Sequence, residues 1–449
     1  MNEKEMNQHG DPLLAPPKKE MWAWGMGSFG TFTIWTLIGS FLTYYYTDVV
    51  GLAAGAVGTL MLVARLLDGI TDLGMGSFVD KTKSKYGSAR PWLLWMSIPL
   101  GLATVLLFSV PDLGDSSKLA YAYVTYILFI LIYTSVTIPH KTLMGLMTQD
   151  QHSRSVTNIY AQILILTGTL LTMVLTEPLA QIIGWTFVAC IYGVIVIIAL
   201  FITFTKVKER AAQSSFHGEN KVPASVGFKA LLKNKYWLMI TLFCVVSYAI
   251  MALIQGAGIY YASWIIGDSS VFSFIGAALI LPMILGLFFL APLVKRFGKR
   301  NIIITGSVIL ILGQFVRLID TNDLTIFLIG TAFVGIGYMP TIAFVFALTN
   351  ETIEYGQYKT GVRTPGIINS GTSFGMKVGT GIGMALIGWL LALGGYVGSA
   401  DTQPTLALDM ILVLNIYVPI GLAVVQILIM LFYRLDREYE EVLAYLHKQ

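Results

Sequence analysis

Charge is what this sequence has least of. Only 12% of its 449 residues are Asp, Glu, Lys or Arg, about half the share of roughly 25% found in soluble domains. A chain that is 55% hydrophobic cannot cover a water-facing surface with so few charges. A soluble fold is excluded, and lipid becomes the natural solvent. Cysteine is nearly absent. Cys190 and Cys244 both lie in apolar runs, which excludes a disulfide framework and leaves them as small core residues. Enzyme signatures are missing too: there is no HExxH, no GxSxG in a strand-to-helix setting and no Walker loop. Without a Walker loop ATP is set aside as the energy source, and no cofactor is expected. His and Cys are too sparse for a catalytic metal cluster. No cleavable signal segment is expected either, because Met1 to Lys19 is polar, Pro-containing and mixed in charge, the character of a short cytoplasmic tail.

Long apolar stretches stand in place of charge. About 20 mostly apolar residues cross roughly 30 Å of hydrocarbon. Twelve stretches meet that length: 22–46, 51–77, 92–111, 119–147, 155–180, 182–205, 236–266, 271–294, 302–320, 324–349, 366–396 and 408–434. The narrowest separator, Glu177-Pro178 to Gly184, divides the fifth from the sixth. The 44 glycines suit membrane helices, in which Gly is enriched.

The basic residues give orientation. Of 29 Lys and Arg, 24 lie in the first tail, the even–odd loops and the last tail. They include Lys4, Lys18 and Lys19, then Lys81, Lys83, Lys85 and Arg90, seven residues in 206–235, and Lys295, Arg296, Lys299 and Arg300. The opposite loops are nearly bare, Lys118 excepted. The positive-inside rule places both termini in the cytoplasm, which requires an even number of spans. The net charge of +4 is then a matter of topology and not of nucleic acid. The expected partner is the lipid bilayer of the inner (cytoplasmic) membrane, with the chain working as a monomer.

The organisation read from this is a tail over 1–21, a six-helix bundle over 22–205, a central cytoplasmic loop over 206–235, a second six-helix bundle over 236–434 and a tail over 435–449. The basic turn Phe78-Val79-Asp80-Lys81 through Gly87 and Arg90 has a counterpart in Leu293-Val294-Lys295-Arg296-Phe297-Gly298-Lys299-Arg300. Equivalent turns at equivalent places indicate a duplication. Duplicated halves with a binding site between them at mid-membrane are a common transporter plan.

An ionisable group inside a span costs roughly 2.5–3.5 kcal/mol on insertion scales, so its default reading is functional. Arg65, Asp68 and Asp72 lie in the second stretch. Asp68 and Asp72 are four residues apart and share one helix face. Two carboxylates on one face repel unless a proton or cation lies between them, which is the chemistry of an H⁺ or Na⁺ site; the alternative is a structural ion pair with Arg65. In the fourth stretch Thr134, Thr137 and Lys141 recur at intervals of three and four, with Tyr133 and His140 beside them and Pro139 expected to loosen the helix. Lys141 is read as a pocket residue or as one that snorkels to the interface; His140 is read as a pocket residue or as a packed one. Lys377, flanked by Gly375, Gly379 and Gly381 in the eleventh stretch, needs a carboxylate or an anionic ligand, and Asp68 and Asp72 are the best partners. Tyr44-Tyr45-Tyr46 and Tyr260-Tyr261 with Trp264 read as an interfacial belt. Spacing does not say which aromatics would stack on a ligand.

These residues resemble one family, the glycoside–pentoside–hexuronide:cation symporters of the major facilitator superfamily (MFS), along essentially the whole chain. The resemblance rests on Tyr44-Tyr45-Tyr46-Thr47-Asp48-Val49-Val50-Gly51-Leu52, on Gly58-Thr59-Leu60 through Arg65, Asp68 and Asp72, on Lys83 to Pro91, and on Glu354-Tyr355-Gly356-Gln357-Tyr358-Lys359-Thr360-Gly361-Val362-Arg363. It implies an all-α MFS fold of about twelve helices and symport of a small-molecule sugar with a cation. Asp68, Asp72 and Thr134 would form the cation site, with Na⁺ as a candidate metal, and Lys377 would bridge that site to the sugar. Tyr133, Lys141 and Ser373 fall where melibiose-type members contact sugar or cation. Those members carry a third carboxylate where this chain has Thr137, a Lys-Asp pair where it has Thr31-Phe32, an Arg where it has Gln162, and a Trp where it has Lys141. The sugar is therefore not expected to be an α-galactoside. With one carboxylate fewer, H⁺ is favoured over Na⁺.

The expected pocket comprises Tyr133, Thr137, His140, Lys141, Gln162, Asn369, Ser373 and Lys377. Three intramembrane cations, Arg65, Lys141 and Lys377, against two carboxylates also point to an anionic sugar. The rival readings are a lipid or lysophospholipid transporter of related fold, a channel, and a membrane-embedded enzyme.

Overall fold

The computed structural model describes residues 15–112, 114–210, 231–362, 364–398 and 400–446. Among them every regular element is helical. Helix α1 (Lys18–Leu37) continues through π-helical turns at Ile38–Leu42 and Tyr45–Val49. There follow α2 (Ala54–Lys81), α3 (Arg90–Leu107), α4 (Asp115–Met147), α5 (Gln151–Ile183) and α6 (Trp185–Lys206). After residues 211–230, which lie outside the described residues, come α7 (Lys235–Tyr261, with a π turn at Ala262–Ile266), α8 (Phe272–Phe297), α9 (Lys299–Arg317), α10 (Leu324–Thr360), α11 (Pro365–Leu393), α12 (Thr405–Phe432) and α13 (Leu435–Leu446). Eleven of these, α2 to α12, are long and apolar enough to cross a membrane. Helix α1 is long enough but carries too many small polar residues, among them Ser28, Thr31, Thr33 and Thr36, all buried.

Of the expected separator Glu177-Pro178 to Gly184, only the last residue breaks the helix. Glu177-Pro178 sits inside α5, because neighbouring helices in a membrane bundle re-satisfy the backbone groups that Pro frees. The chain turns instead at Gly184, whose φ of 83° is reachable without a Cβ clash. Pro139 likewise lies within an unbroken α4. The last segment, expected as a tail, contains α13, whose Tyr439 lies with Phe344, Ala347 and Glu351 of α10 around a cavity of about 430 Å³.

The chain divides into two compact units, Met1–Tyr45 with Ile70–Asn220, and Tyr46–Gly69 with Lys221–Gln449. The sequence expectation put all of 22–205 in one bundle; here the ends of α1 and α2 around their connecting turn group with the second unit. Small residues explain part of this. A Cβ on Gly58 would come within 2.8 Å of the Ala385 carbonyl oxygen and 3.1 Å of the Gly388 Cα, so α2 and α11 lie backbone to backbone.

In the first unit, the residues just after α6 tie four helices together. Glu209 accepts the backbone N–H groups of Ser88, Ala89 and Arg90, each at 2.9 Å, at the start of α3. These are donors that a helix leaves unsatisfied. Arg90 in turn donates to the Phe204 carbonyl at the end of α6. Arg210 grips Glu20 of α1 with both nitrogens, at 2.8 and 2.6 Å, and donates to the Met147 carbonyl of α4. The second unit repeats the device. Asp436 accepts the Arg300 N–H at 3.2 Å at the start of α9, and Arg300 donates to the Met430 and Leu431 carbonyls at the end of α12. Arg90 and Arg300 belong to the two basic turns matched in the sequence, so the repeat extends to side-chain bonding.

Glu209→Ala should cost about 2 kcal/mol of stability, the upper end for loss of a helix cap, and Glu209→Gln should recover part of it. Thermal unfolding in detergent checks this. An unchanged midpoint in Glu209→Ala would show the cap to be idle.

Candidate functional site

Helix α2 carries the two carboxylates one turn apart, Asp68 in the second unit and Asp72 in the first. Around Asp68 the second unit collects two cations. Lys377 of α11 places its Nζ 2.9 Å from Asp68 Oδ1 and donates to the Asp68 carbonyl oxygen, also at 2.9 Å. Arg65 lies one turn before Asp68 on the same helix, with Nη1 3.8 Å from Oδ2. Arg65 and Asp68 are 1% and 2% exposed. Charges so buried are tolerated only when paired. Glycine makes the approach possible: a Cβ on Gly381 would stand 2.9 Å from the Arg65 Cβ, and one on Gly69 would strike the Phe374 ring. A carboxylate already shared by two fixed cations is poorly suited to hold a third cation such as Na⁺.

In the first unit, Asp72 is half-buried beside Thr71, whose hydroxyl lies 3.4 Å from that of Thr134 on α4. Tyr133 is buried, donates to the Thr31 carbonyl at 3.3 Å and stacks on Trp35 of α1. His140 is buried in a reciprocal arrangement with Trp24. Their rings stack at 4.6 Å, the imidazole Nε2 is 3.0 Å from the Trp24 carbonyl oxygen, and the indole donates to the His140 carbonyl at 3.1 Å. The imidazole is thus committed to joining α1 and α4, the packed alternative of its sequence reading. Lys141 is exposed, so it does not demand a buried counter-charge. Gln162 on α5 and Asn369 on α11 are exposed as well, while Thr137 and Ser373 are half-buried. Arg363 of the second family motif lies outside the described residues. Among the described residues no group of three or more His, Cys, Asp or Glu is arranged to hold a metal ion.

Two polar clusters escaped the sequence reading. Arg317, 3% exposed within α9, donates to Gln314, Thr331 and the Asn415 carbonyl. Its signal, a charge within an apolar stretch, was available. The other cluster joins the ends of α1 and α7. Asp48 accepts hydrogen bonds from the Tyr396 hydroxyl and, at 2.6 Å, from Thr47. Trp264 donates to the same Tyr396 hydroxyl at 2.6 Å, and the hydroxyls of Tyr260 and Thr47 are 2.8 Å apart. Tyr44-Tyr45-Tyr46-Thr47-Asp48-Val49-Val50-Gly51 aligns with Tyr260-Tyr261-Ala262-Ser263-Trp264-Ile265-Ile266-Gly267. Asp48 and Trp264 are therefore duplicated positions. Both sit on π turns that precede glycines of φ 81° and 85°, and both converge on one tyrosine hydroxyl.

Comparison with known proteins gives a consistent answer. The family model described as MFS/sugar transport protein matches residues 23–437. The isoprimeverose transporter of Lactiplantibacillus pentosus is 30% identical over 446 residues, covering 96% of this chain and 92% of its own. The putative glycoside/cation symporter YagG of Escherichia coli (strain K12) is 30% identical over 437 residues, covering 93% and 92%. The crystal structure of the nucleoside transporter NupG superposes with a TM-score of 0.62 over 92% of this chain and 100% of its own, at 15% identity, a likeness of fold alone.

Proposed function

The chain belongs to the MFS/sugar transport protein family, and from that premise we propose a proton-coupled symporter of a glycoside, pentoside or hexuronide in which the two carboxylates of α2 have different tasks. It is a transporter and not an enzyme. Asp72 carries the proton, with Thr71 and Thr134 beside it. Asp68 is the fixed counter-ion of Lys377. The observation that carries this reading is the grip of Lys377 on both the carboxylate and the carbonyl of Asp68, at 2.9 Å each, with Arg65 on the other side. The coupling ion finds Asp68 already occupied by cations and is left with Asp72. Na⁺, like other hard cations, is held by a cage of several oxygen ligands; one carboxylate with threonine hydroxyls is a thin cage for it, whereas a proton needs a single titratable oxygen.

On α2 and α11 Arg65 and Lys377 then stand against Asp68 and Asp72, a set that balances while Asp72 is ionised. With Lys141 exposed, the argument for an anionic sugar loses its third cation, and we take the sugar to be neutral on that ground. Ser373 and Lys377 stand one turn apart on α11 and share a face. Sugar hydroxyls held there would sense the state of the Lys377–Asp68 pair, one turn from Asp72. If protonation of Asp72 raises sugar affinity by some factor, sugar raises proton affinity by the same factor, which is the linkage that symport needs. We place both termini in the cytoplasm on the distribution of the basic residues, and take the chain to work as a monomer in the inner membrane.

The test is a thermal-stabilisation panel on purified protein with isoprimeverose, xylose, melibiose and glucuronate, each with and without Na⁺ and at two pH values. Stabilisation by a neutral pentose or pentoside, stronger at the lower pH and indifferent to Na⁺, is the expected result. A response to glucuronate alone would overturn the neutral-sugar reading, and a strict need for Na⁺ would overturn the proton.

A further inference from the structure

The chain has 22 Tyr, 24 Phe and 9 Trp, too many to choose among by spacing. The structure singles one out. Helix α1 is enclosed by its own unit on three sides. Gly25 lies against Ala161 and Leu164 of α5, Gly27 against His140 of α4, and Gly30 against Val196 and Ala199 of α6. From residue 20 to residue 42 the helix is buried except at Trp22, Met26, Phe29, Phe32, Trp35 and Gly39. Those six recur at intervals of three and four, so they form one open stripe. Other exposed stripes of this protein mix aromatic with aliphatic residues, as with Trp95, Ile98, Leu102 and Leu106 on α3 and Phe187, Ile191, Val194, Ile198 and Phe201 on α6. Aromatic rings dominate the α1 stripe, with Met26 and Gly39 between and beyond them and no branched aliphatic residue. It runs along a helix too polar to count among the eleven apolar spans.

At Trp35 this stripe meets the polar site of the first unit. The indole lies nearly parallel to the Tyr133 ring, centroids 5.6 Å apart and planes 24° apart. Tyr133 is itself backed by Phe129 at 5.5 Å and fixed by its bond to the Thr31 carbonyl. The residue after Tyr133 is Thr134, which meets Thr71, the residue before Asp72. A half-buried indole stacked on Tyr133 thus lies in the same unit as the coupling carboxylate. Pockets for small ligands pair such aromatic surfaces with a few fixed polar groups. One face of a sugar ring is a set of C–H bonds, and an aromatic face, with its negative quadrupole, accepts it.

We propose that the Trp35 indole, backed by Tyr133, is the stacking platform for one ring of the transported sugar. This rests on the symport reading above and adds a specificity-determining residue to it. An aromatic platform recognises the ring face and not a charge, so it favours a sugar with an equatorially substituted ring and asks for no charge on it.

The experiment compares Trp35→Leu, which keeps apolar bulk without a flat ring, and Trp35→Phe, which keeps a smaller ring, with the wild type. The probes are isoprimeverose, xylose, melibiose and glucuronate. In Trp35→Leu the apparent KM for the stabilising sugar should rise about tenfold or more, with Vmax changed far less, since one good aromatic contact is worth on the order of a tenfold change in affinity. Trp35→Phe should fall between Leu and wild type. A packing role would lower the amount of folded protein and leave KM alone. On the intact chain labelled with 5-fluorotryptophan, the resonance missing from Trp35→Phe should shift saturably with sugar, which keeps the test open should Trp35→Leu not fold. A wild type that responds to sugar, with KM unchanged in Trp35→Leu or with a fluorine resonance indifferent to sugar, overturns the platform alone. A wild type that responds to none of the four probes overturns the sugar reading and the platform with it.

Discussion

Lys377→Met should lower uptake roughly 100- to 1,000-fold, because breaking one partner out of a buried ion pair costs about 3–5 kcal/mol and each 1.4 kcal/mol is tenfold. The substitution removes the 2.9 Å contact to Asp68 Oδ1 and the bond to the Asp68 carbonyl together. It leaves a carboxylate 2% exposed with Arg65 still beside it at 3.8 Å. The loss should appear both in transport and in thermal stability. A double-mutant cycle separates the two. Combining Lys377→Met with Asp68→Asn removes both ends of the pair, so the double variant should be more stable than the sum of the single losses predicts, by about 1–3 kcal/mol. Transport should remain absent in the double variant, since the lysine is also proposed to face the sugar. Additive stabilities would mean that the contact carries no energy, and normal uptake by Lys377→Met would remove the lysine from the site.

Asp72→Asn should abolish uphill accumulation while sparing sugar exchange at equilibrium. Asn keeps the size and hydrogen-bonding capacity of the side chain beside Thr71 but takes no proton in the working pH range. Without a proton to carry, the inside-to-outside sugar ratio should settle at about one whatever gradient is imposed, because linkage between the two ligands has gone. Asp68→Asn should behave differently. It strands Lys377 and Arg65, so exchange and stability should fall together. The sequence alone gives both residues the same role, and this contrast separates them. Counterflow by Asp72→Asn at wild-type rate, with no counterflow by Asp68→Asn, is the expected outcome. Equal loss in both would return them to a single shared site.

The elements most legible in the sequence were those written in apolar runs. Twelve stretches correspond to α1 to α12, most with ends displaced by a few residues, as at α9, expected over 302–320 and found at Lys299–Arg317, while α10, expected to end at 349, runs on to Thr360. The pairing of Lys377 with Asp68 was legible for a simple reason: a lysine in hydrocarbon must find a carboxylate, and few are on offer. Pro178 misled because its effect in a membrane helix depends on neighbours the sequence does not display, whereas Gly184 turned the chain through a backbone angle that leaves no mark but the glycine itself. Glu209 and Arg210 looked like ordinary loop charges. Their value lies in meeting the starts of α3 and α1, more than a hundred residues away in sequence. Tyr396 could not be tied to Asp48 across 348 positions, and the aromatic runs at the ends of α1 and α7 were read as an interfacial belt and not as a repeat. For Trp35 the sequence lacked what the burial pattern supplies, namely which single stripe of α1 is open.

The central claim is that a proton, held by Asp72, drives the sugar. The most direct measurement is sugar accumulation in proteoliposomes of purified protein under an imposed pH gradient, acid on the side of sugar addition, with Na⁺ absent; the same vesicles then receive a Na⁺ gradient at fixed pH. The predicted result is transient accumulation above the external concentration under the pH gradient, none in Asp72→Asn, and no more than passive equilibration under the Na⁺ gradient. Accumulation that follows Na⁺ at fixed pH and ignores the pH gradient would contradict it.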